Sequence, residues 1–370
     1  MRGLLTVLIL ASSFAASAVS AQLPAPGAEK PNVVLIITGV HPGARDVQGG
    51  SAQARQQAGG ADAGGLDVVQ LRPNLFMIAG AGGNIAVQIG QDGVVVVDAG
   101  SADKADVVVA TIRRLSERPI RYVINTSADA DHVGGNVTVS KAGQTLMTMT
   151  GAGAGGSVAA FNGLTNGGAA AIVAAEEVLT RMSAPTGKVA AFPSAAWPTE
   201  SFGQAQHALF LNDEGIQVLR QPAAHSDGDS VVFFRRSDVI VAGDVVDATR
   251  FPVIDVAKGG SIQGELDALN RLIDMAIASI PIVSRDGGTY VIPGHGRVYD
   301  HFDLVDYRDM ITIIRDRVRD LANEGKTLEQ IKTTAPARGY TRQYGATTGP
   351  WTTDRFIEAI YKSLPREKKP

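Results

Sequence analysis

The chain contains no cysteine, and its six histidines stand at positions 41, 132, 207, 225, 295 and 301. Disulfides, thiolate metal sites and cysteine nucleophiles are thereby excluded. A site for a transition metal must be built from imidazole and carboxylate. Three histidines have neighbours that suit this task. His132 follows an acid in Asp131-His132-Val133-Gly134-Gly135, His225 lies in Ala224-His225-Ser226-Asp227-Gly228-Asp229, and His295 lies in Pro293-Gly294-His295-Gly296. A further acid closes Ala242-Gly243-Asp244. Neutral imidazole and ionised carboxylate are ligands for zinc, iron or manganese. A metal so held activates water and polarises a carbonyl, which is hydrolytic chemistry. Taken singly the residues read more plainly: Asp131 as a helix cap, His225 as a loop histidine, Asp227 and Asp229 as turn formers. His41, His207 and His301 fall outside these motifs and carry no expected function.

The motifs need strands to position them. Val68 to Ile78 and Asn84 to Ile89 read as strands, Gln91-Asp92-Gly93 as a turn, and Val94 to Val97 as a buried strand ending at Asp98. A helix is expected from Ser101, with Val108, Ile112 and Leu115 on its apolar face. The strand Tyr122 to Ile124 runs into the segment that carries Asp131 and His132. Further along, the pattern predicts a helix over Ala170 to Met182 and strands at Ile216 to Leu219, Ser230 to Arg235 and Val239 to Ala242. An amphipathic helix over Gln263 to Ile280, a strand at Thr289 to Ile292 and two or three closing helices complete the reading. His225 precedes one strand, while Asp131-His132, Asp244 and His295 each follow another. Strand ends of an α/β sheet are where ligand sites gather.

Length and composition bound the rest. The chain has 370 residues, 45% hydrophobic and 19% charged, which excludes a disordered protein and allows a sizeable core. A formal charge of −3 offers no basic excess for nucleic acid. Arg2, the apolar run Leu4 to Ala11 and the small residues up to Ala21 form the pattern of a secretory signal peptide. A secreted or periplasmic protein is therefore expected, with no membrane attachment after cleavage. Residues 22–66 read as a Gly/Ala/Gln-rich linker interrupted by the apolar run Val33 to Val40, and residues 151–168 as a Gly-rich loop. Phe161 and Trp197 are candidates for a substrate cleft, Trp197 more plainly for the core.

Together these motifs resemble the metallo-β-lactamase fold superfamily. The resemblance rests on Val96-Val97-Asp98-Ala99-Gly100, Asp131-His132-Val133-Gly134-Gly135, His225-Ser226-Asp227-Gly228-Asp229, Gly243-Asp244 and Pro293-Gly294-His295-Gly296, in that order. It covers about residues 67–300 and implies an αββα sandwich, followed by a C-terminal helical extension over 301–370. It also implies that Asp131, His132 and His295 hold one metal, that His225 belongs to a second site, that Asp244 bridges both, and that Asp98 supports the metal loop through hydrogen bonds.

The sequence departs from the family where two further histidines are expected: it carries Ser127 and Asp129. Three readings follow. One Zn2+ binds at Asp131, His132, His295 and Asp244 and does the work alone. Alternatively, Asp129 replaces imidazole, a second metal sits among Asp129, His225 and Asp244, and the harder ligand set favours iron or manganese. In the third, the site is decayed. The resemblance implies a metallo-hydrolase whose metal-bound hydroxide attacks an ester, thioester, lactone or β-lactam carbonyl of a small-molecule substrate. Asp131, Asp244 and His225 are its candidate catalytic residues. The alternative is a non-catalytic binding or scaffold protein on the same fold.

Overall fold

The computed structural model describes residues 58–59, 65–145, 168–184, 190–280, 282 and 287–364. The signal segment 1–21, the run Val33 to Val40, nearly all of the linker, the Gly-rich segment 151–167 and Phe161 lie outside the described residues.

Two sheets face each other. The first contains β1 (Ala58–Gly59), β2 (Asp67–Arg72), β3 (Leu75–Ala81), β4 (Gly83–Ile89), β5 (Val94–Val97), β6 (Ile120–Ile124), β7 (Ala171–Ala175) and β8 (Glu200–Phe202), in sequential order. It is antiparallel as far as β5 and parallel from β5 to β8. The second contains β9 (Gln206–Leu211), β10 (Glu214–Arg220), β11 (Ser230–Phe234), β12 (Val239–Asp247) and β13 (Tyr290–His295), in the order β13-β12-β11-β10-β9. Here only β12 and β13 run parallel.

Side-chain alternation along each strand builds the layers. In β5, Val95 and Val97 point between the sheets, where Val232, Phe234, Val239, Val241 and Ile292 meet them. Val94 and Val96 point outward onto Val108, Val109 and Ile112 of α1 (Ala105–Leu115). In β12 the outward pair is Ile240 and Ala242, covered by Leu266, Leu269 and Leu272 of α5 (Ile262–Met275). Ile311 and Ile314 of α6 (His301–Asn323) and Phe356 and Ile360 of α9 (Thr353–Ser363) join that layer. The C-terminal helices thus share a core with the second sheet. The result is helix, sheet, sheet, helix. Five short α-helices complete the described set: α2 (Ala130–Val133), α3 (Asn136–Lys141) and α4 (Glu176–Ser183) beside the first sheet, and α7 (Leu328–Thr333) with α8 (Thr341–Tyr344) near the end. No described helix is long and apolar enough to cross a membrane.

Four local expectations change. The stretch Val68 to Ile78 is two strands, because Pro73 and Asn74 turn the chain into a hairpin between Arg72 and Leu75. Ala171–Ala175 is strand rather than helix: Ile172 and Val173 pair in parallel with β6 and are buried on both faces, an environment in which a short apolar run has no helical period to display. The helix expected to reach Ile280 stops at Met275, and Ile277 and Ile280 are exposed beyond it. Finally, β12 continues past Ala242 to Asp247 through register shifts around Gly243, so Asp244 lies within an irregular strand end rather than after it.

Candidate metal centre

All the predicted site residues gather at one end of the sandwich, contributed by both sheets. From the first come Asp98 after β5 and the β6–α3 segment with Ser127, Asp129, Asp131 and His132. From the second come His225 before β11, Asp244 in β12 and His295 at the end of β13.

The segment after β6 is shaped by its own polar and small residues. The amides of Asn125 and Asn136 bond reciprocally, at 3.0 and 2.8 Å, and close the loop. Gly135 packs so tightly on the preceding loop that a Cβ would lie 2.2 Å from the Ala99 carbonyl oxygen. At Gly83 a Cβ would meet the His132 ring, 3.0 Å from Cε1 and 3.1 Å from Nε2. Both glycines therefore allow the backbone to approach and press His132 into the cluster, where it is fully buried. Across the sheets, Asn84 donates to the carbonyls of Pro293 and Gly296, both at 2.9 Å, and fixes the turn that carries His295.

Asp98 orients His132. Its backbone adopts φ +63°, a left-handed conformation that costs a non-glycine residue energy. In that position its carboxylate accepts from the Thr126 backbone N–H at 2.8 Å, the Thr126 hydroxyl at 2.6 Å and His132 Nδ1 at 2.8 Å. His132 Nδ1 thus carries the proton, and Nε2 turns its lone pair toward Asp244 Oδ1, 3.1 Å away. His225 repeats the device: Nδ1 donates to the Val253 carbonyl at 2.8 Å, and Nε2 faces Asp129 Oδ2 at 3.0 Å. His295 Nε2 lies 3.2 Å from Asp131 Oδ2 and 3.6 Å from Asp244 Oδ1.

In neutral His132 and His225 these contacts would oppose two acceptors. A positive charge must join them, whether a proton or a metal ion. Without metal, protons do so. Burial disfavours charge on His225, but the Asp129 hydrogen bond and the charges of Asp244 and Asp229 hold its pKa at about 10. Burial likewise opposes charge on His132, yet Asp244 and Asp98 raise it well above the usual imidazole range. Burial pushes Asp129 up, and His225 and Lys258 outweigh it to hold the carboxyl at about 2. Asp244 is held far below the usual carboxylate range, its burial overcome by His132, His225 and His295.

The donors divide into two groups, Asp131–His132–His295 and Asp129–His225–Asp244, with ligand atoms in each within 4.8 Å of one another. Asp244 joins them: Oδ1 faces His132 and His295, while Oδ2 lies 3.3 Å from the Ser127 hydroxyl and 4.0 Å from His225 Nε2. This donor set, rich in oxygen and with imidazole lone pairs pre-aimed, fits divalent metal. Asp129 stands beside His225, in the set of the two-metal reading.

Sequence reasoning missed Lys258, whose ammonium lies 3.0 Å from Asp129 Oδ1 and 3.1 Å from Asp255 Oδ2. It arrives from the β12–α5 connection, where no motif marks it. Asp229 is more than a turn former. It is buried, accepts from the Ser226 N–H and hydroxyl at 2.6 and 2.8 Å, and is pushed up to about 6 chiefly by burial. Asp227 pairs with Arg181. His207 lies on β9 beside Glu200, and His301 opens α6; neither approaches the centre. Trp197 packs on the core between the sheets and donates to the Phe192 carbonyl.

The profile of the metallo-β-lactamase superfamily matches residues 80–146. No curated protein matches the chain. Among solved structures, the stereoselective inverting sec-alkylsulfatase of a Pseudomonas species superimposes with TM-score 0.53 at 13% identity, over 80% of this chain and 49% of that one. A double mutant of a sec-alkyl sulfatase gives TM-score 0.54 at 12% identity with the same coverage. This chain thus spans about half the length of those enzymes. A metallo-β-lactamase from Pontibacter korlensis matches over 67% of this chain and 99% of that one, at 13% identity and TM-score 0.46. The matched segment carries Asp98, Asp131 and His132, the rest of the donor set follows in the order implied by the motifs, and the chain is similar to the metallo-β-lactamase superfamily over that segment and shares its fold.

Proposed function

We propose that the chain is a metal-dependent hydrolase acting on an ester, thioester, lactone or β-lactam carbonyl of a small molecule, with one zinc ion held by Asp131, His132, His295 and Asp244. The signal-peptide pattern over residues 1–21 supports export to the periplasm or beyond. The observation that carries the catalytic reading is the convergence of three imidazole–carboxylate contacts of 3.0–3.2 Å, joined through the two oxygens of Asp244. A metal in such a site supplies a Lewis acid for the carbonyl and lowers the pKa of water.

The chain's own groups do the remaining work. Asp98 holds His132 in the tautomer that leaves Nε2 free. Asp131 is the most open carboxylate of the centre, with 39% of its side chain exposed, and so can orient the attacking water and carry its proton to the leaving group. Asp244 lies deeper and joins the two donor groups through its two oxygens. His225, outside the single-metal set, would hydrogen-bond the attacking water or the substrate.

Metal content after expression without chelators tests this. Near-stoichiometric zinc, iron or manganese is expected, together with chelator-sensitive turnover of at least one class in a panel of chromogenic esters, thioesters, lactones and a cephalosporin. His132→Ala should abolish both. Well-folded wild-type protein without metal would refute the hydrolase.

A further inference from the structure

Lys258 is not a loose surface lysine. Its backbone belongs to a single 3-10 turn, Val256–Lys258, capped by the Asp255 side chain on the Lys258 N–H at 3.1 Å. Its carbonyl accepts from the Asp227 N–H at 3.0 Å and from Arg181 at 2.7 Å. Arg181 also donates to Ser226 at 3.0 Å, so one guanidinium ties the Lys258 turn to the loop that carries His225. The Asp255 N–H donates to the His225 carbonyl at 2.8 Å, a second tie between the same segments. The ammonium therefore projects from a fixed base.

It projects onto Asp129, which stands where the family pattern has a histidine. Both oxygens of that carboxylate are engaged: Oδ2 by His225 Nε2 at 3.0 Å and Oδ1 by Lys258 Nζ at 3.0 Å. Histidine-to-aspartate replacement adds a negative charge to this half of the centre, and Lys258 cancels it. A dication in the Asp129–His225–Asp244 group would share a carboxylate with a fixed ammonium, and like charges at such separations repel strongly even at the effective dielectric of a protein interior. The Asp131–His132–His295 group has no such neighbour among the described ion pairs.

We propose that Lys258 serves as a built-in cation for the Asp129–His225–Asp244 group, filling the electrostatic place of a second metal and restricting the chain to one. This rests on the metallo-hydrolase reading above. It makes Lys258 a residue that sets metal number by charge, not a catalytic residue.

Titration of metal-free protein with Zn2+, and separately with Mn2+, followed by measurement of bound metal per chain, tests it. Wild type should saturate at about one metal. Lys258→Met, which keeps the length of the stem without the charge, should bind a second metal at least about a hundredfold more tightly than wild type does, and reach about two per chain. Lys258→Arg should stay at about one. The side chain is 41% exposed, so the variants should fold. Wild-type protein that takes two metals overturns the proposal without any variant. Wild type and Lys258→Met that both stop at one overturn it and leave the hydrolase reading intact, whereas wild type that binds none overturns both.

Discussion

Replacing Asp98 by asparagine probes how the fold prepares the candidate metal ligand His132. Asparagine tolerates the left-handed backbone at this position at least as well as aspartate, so the φ of +63° survives the change and the effect falls on hydrogen bonding. In the native protein Oδ1 accepts from the Thr126 N–H, while Oδ2 accepts from both the Thr126 hydroxyl and His132 Nδ1. The amide can keep the first bond, but its NH2 then faces the other two donors. Thr126 can rotate its hydroxyl and accept. His132 can accept only by moving its proton to Nε2, and that removes the lone pair aimed past Asp244 into the centre. The charge-assisted bond lost is worth about 1.5–3 kcal/mol in this buried setting. Loss of such an orienting carboxylate lowers metal affinity about 10- to 100-fold. Competition with a chromophoric chelator reads the affinity, and thermal unfolding of the metal-free protein reads stability, where a loss of about 2 kcal/mol corresponds to several degrees in Tm. Metal affinity within about threefold of wild type, with unchanged Tm, would refute the claim that Asp98 sets the tautomer of His132.

Other outcomes follow from the same geometry. Asp129→Ala should leave about one metal per chain, because none of the Asp131–His132–His295 donors depends on it; total metal loss by elemental analysis would contradict a single site there. Glu265 of α5 is fully buried, and neither oxygen has a hydrogen-bond partner among the described residues. Burial, reinforced by Asp229 and Asp244 and opposed by His225, raises its carboxyl well above the usual range. The native state therefore keeps a proton that the unfolded chain releases, so this stability is present below about pH 4.5 and lost as pH rises, by up to about 1.4 kcal/mol per unit until the folded pKa is reached. In metal-free protein, Glu265→Gln should gain on wild type between pH 5 and 8 in chemical denaturation; a pH-independent difference would contradict this.

The donor residues were legible from the sequence because each keeps a distinctive neighbourhood: the double glycine after His132, the Asp-Gly-Asp after His225, the Pro-Gly before His295. Those neighbours are what the geometry needs, as the contact of Gly135 with Ala99 illustrates. Lys258 was not legible, since its effect arises from a through-space contact 129 residues away in the chain and nothing local marks it. The same holds for Asn84, whose amide reaches across to the His295 turn. The β7 strand was misread because a short run of alanine, isoleucine and valine buried on both faces satisfies either period. Asp129 was identified as a candidate ligand, but the choice between one metal and two turns on the lysine beside it.

The donors are divided between the sheets, and the last of them, His295, comes late in the chain. The Asp131–His132 pair is synthesised more than a hundred residues before its partners Asp244 and His295. A nascent or truncated chain that ends before residue 295 offers a cation only an incomplete set of these ligands. Assembly of the candidate donor set is thereby tied to synthesis through His295: the set is complete only when donors from both sheets come together.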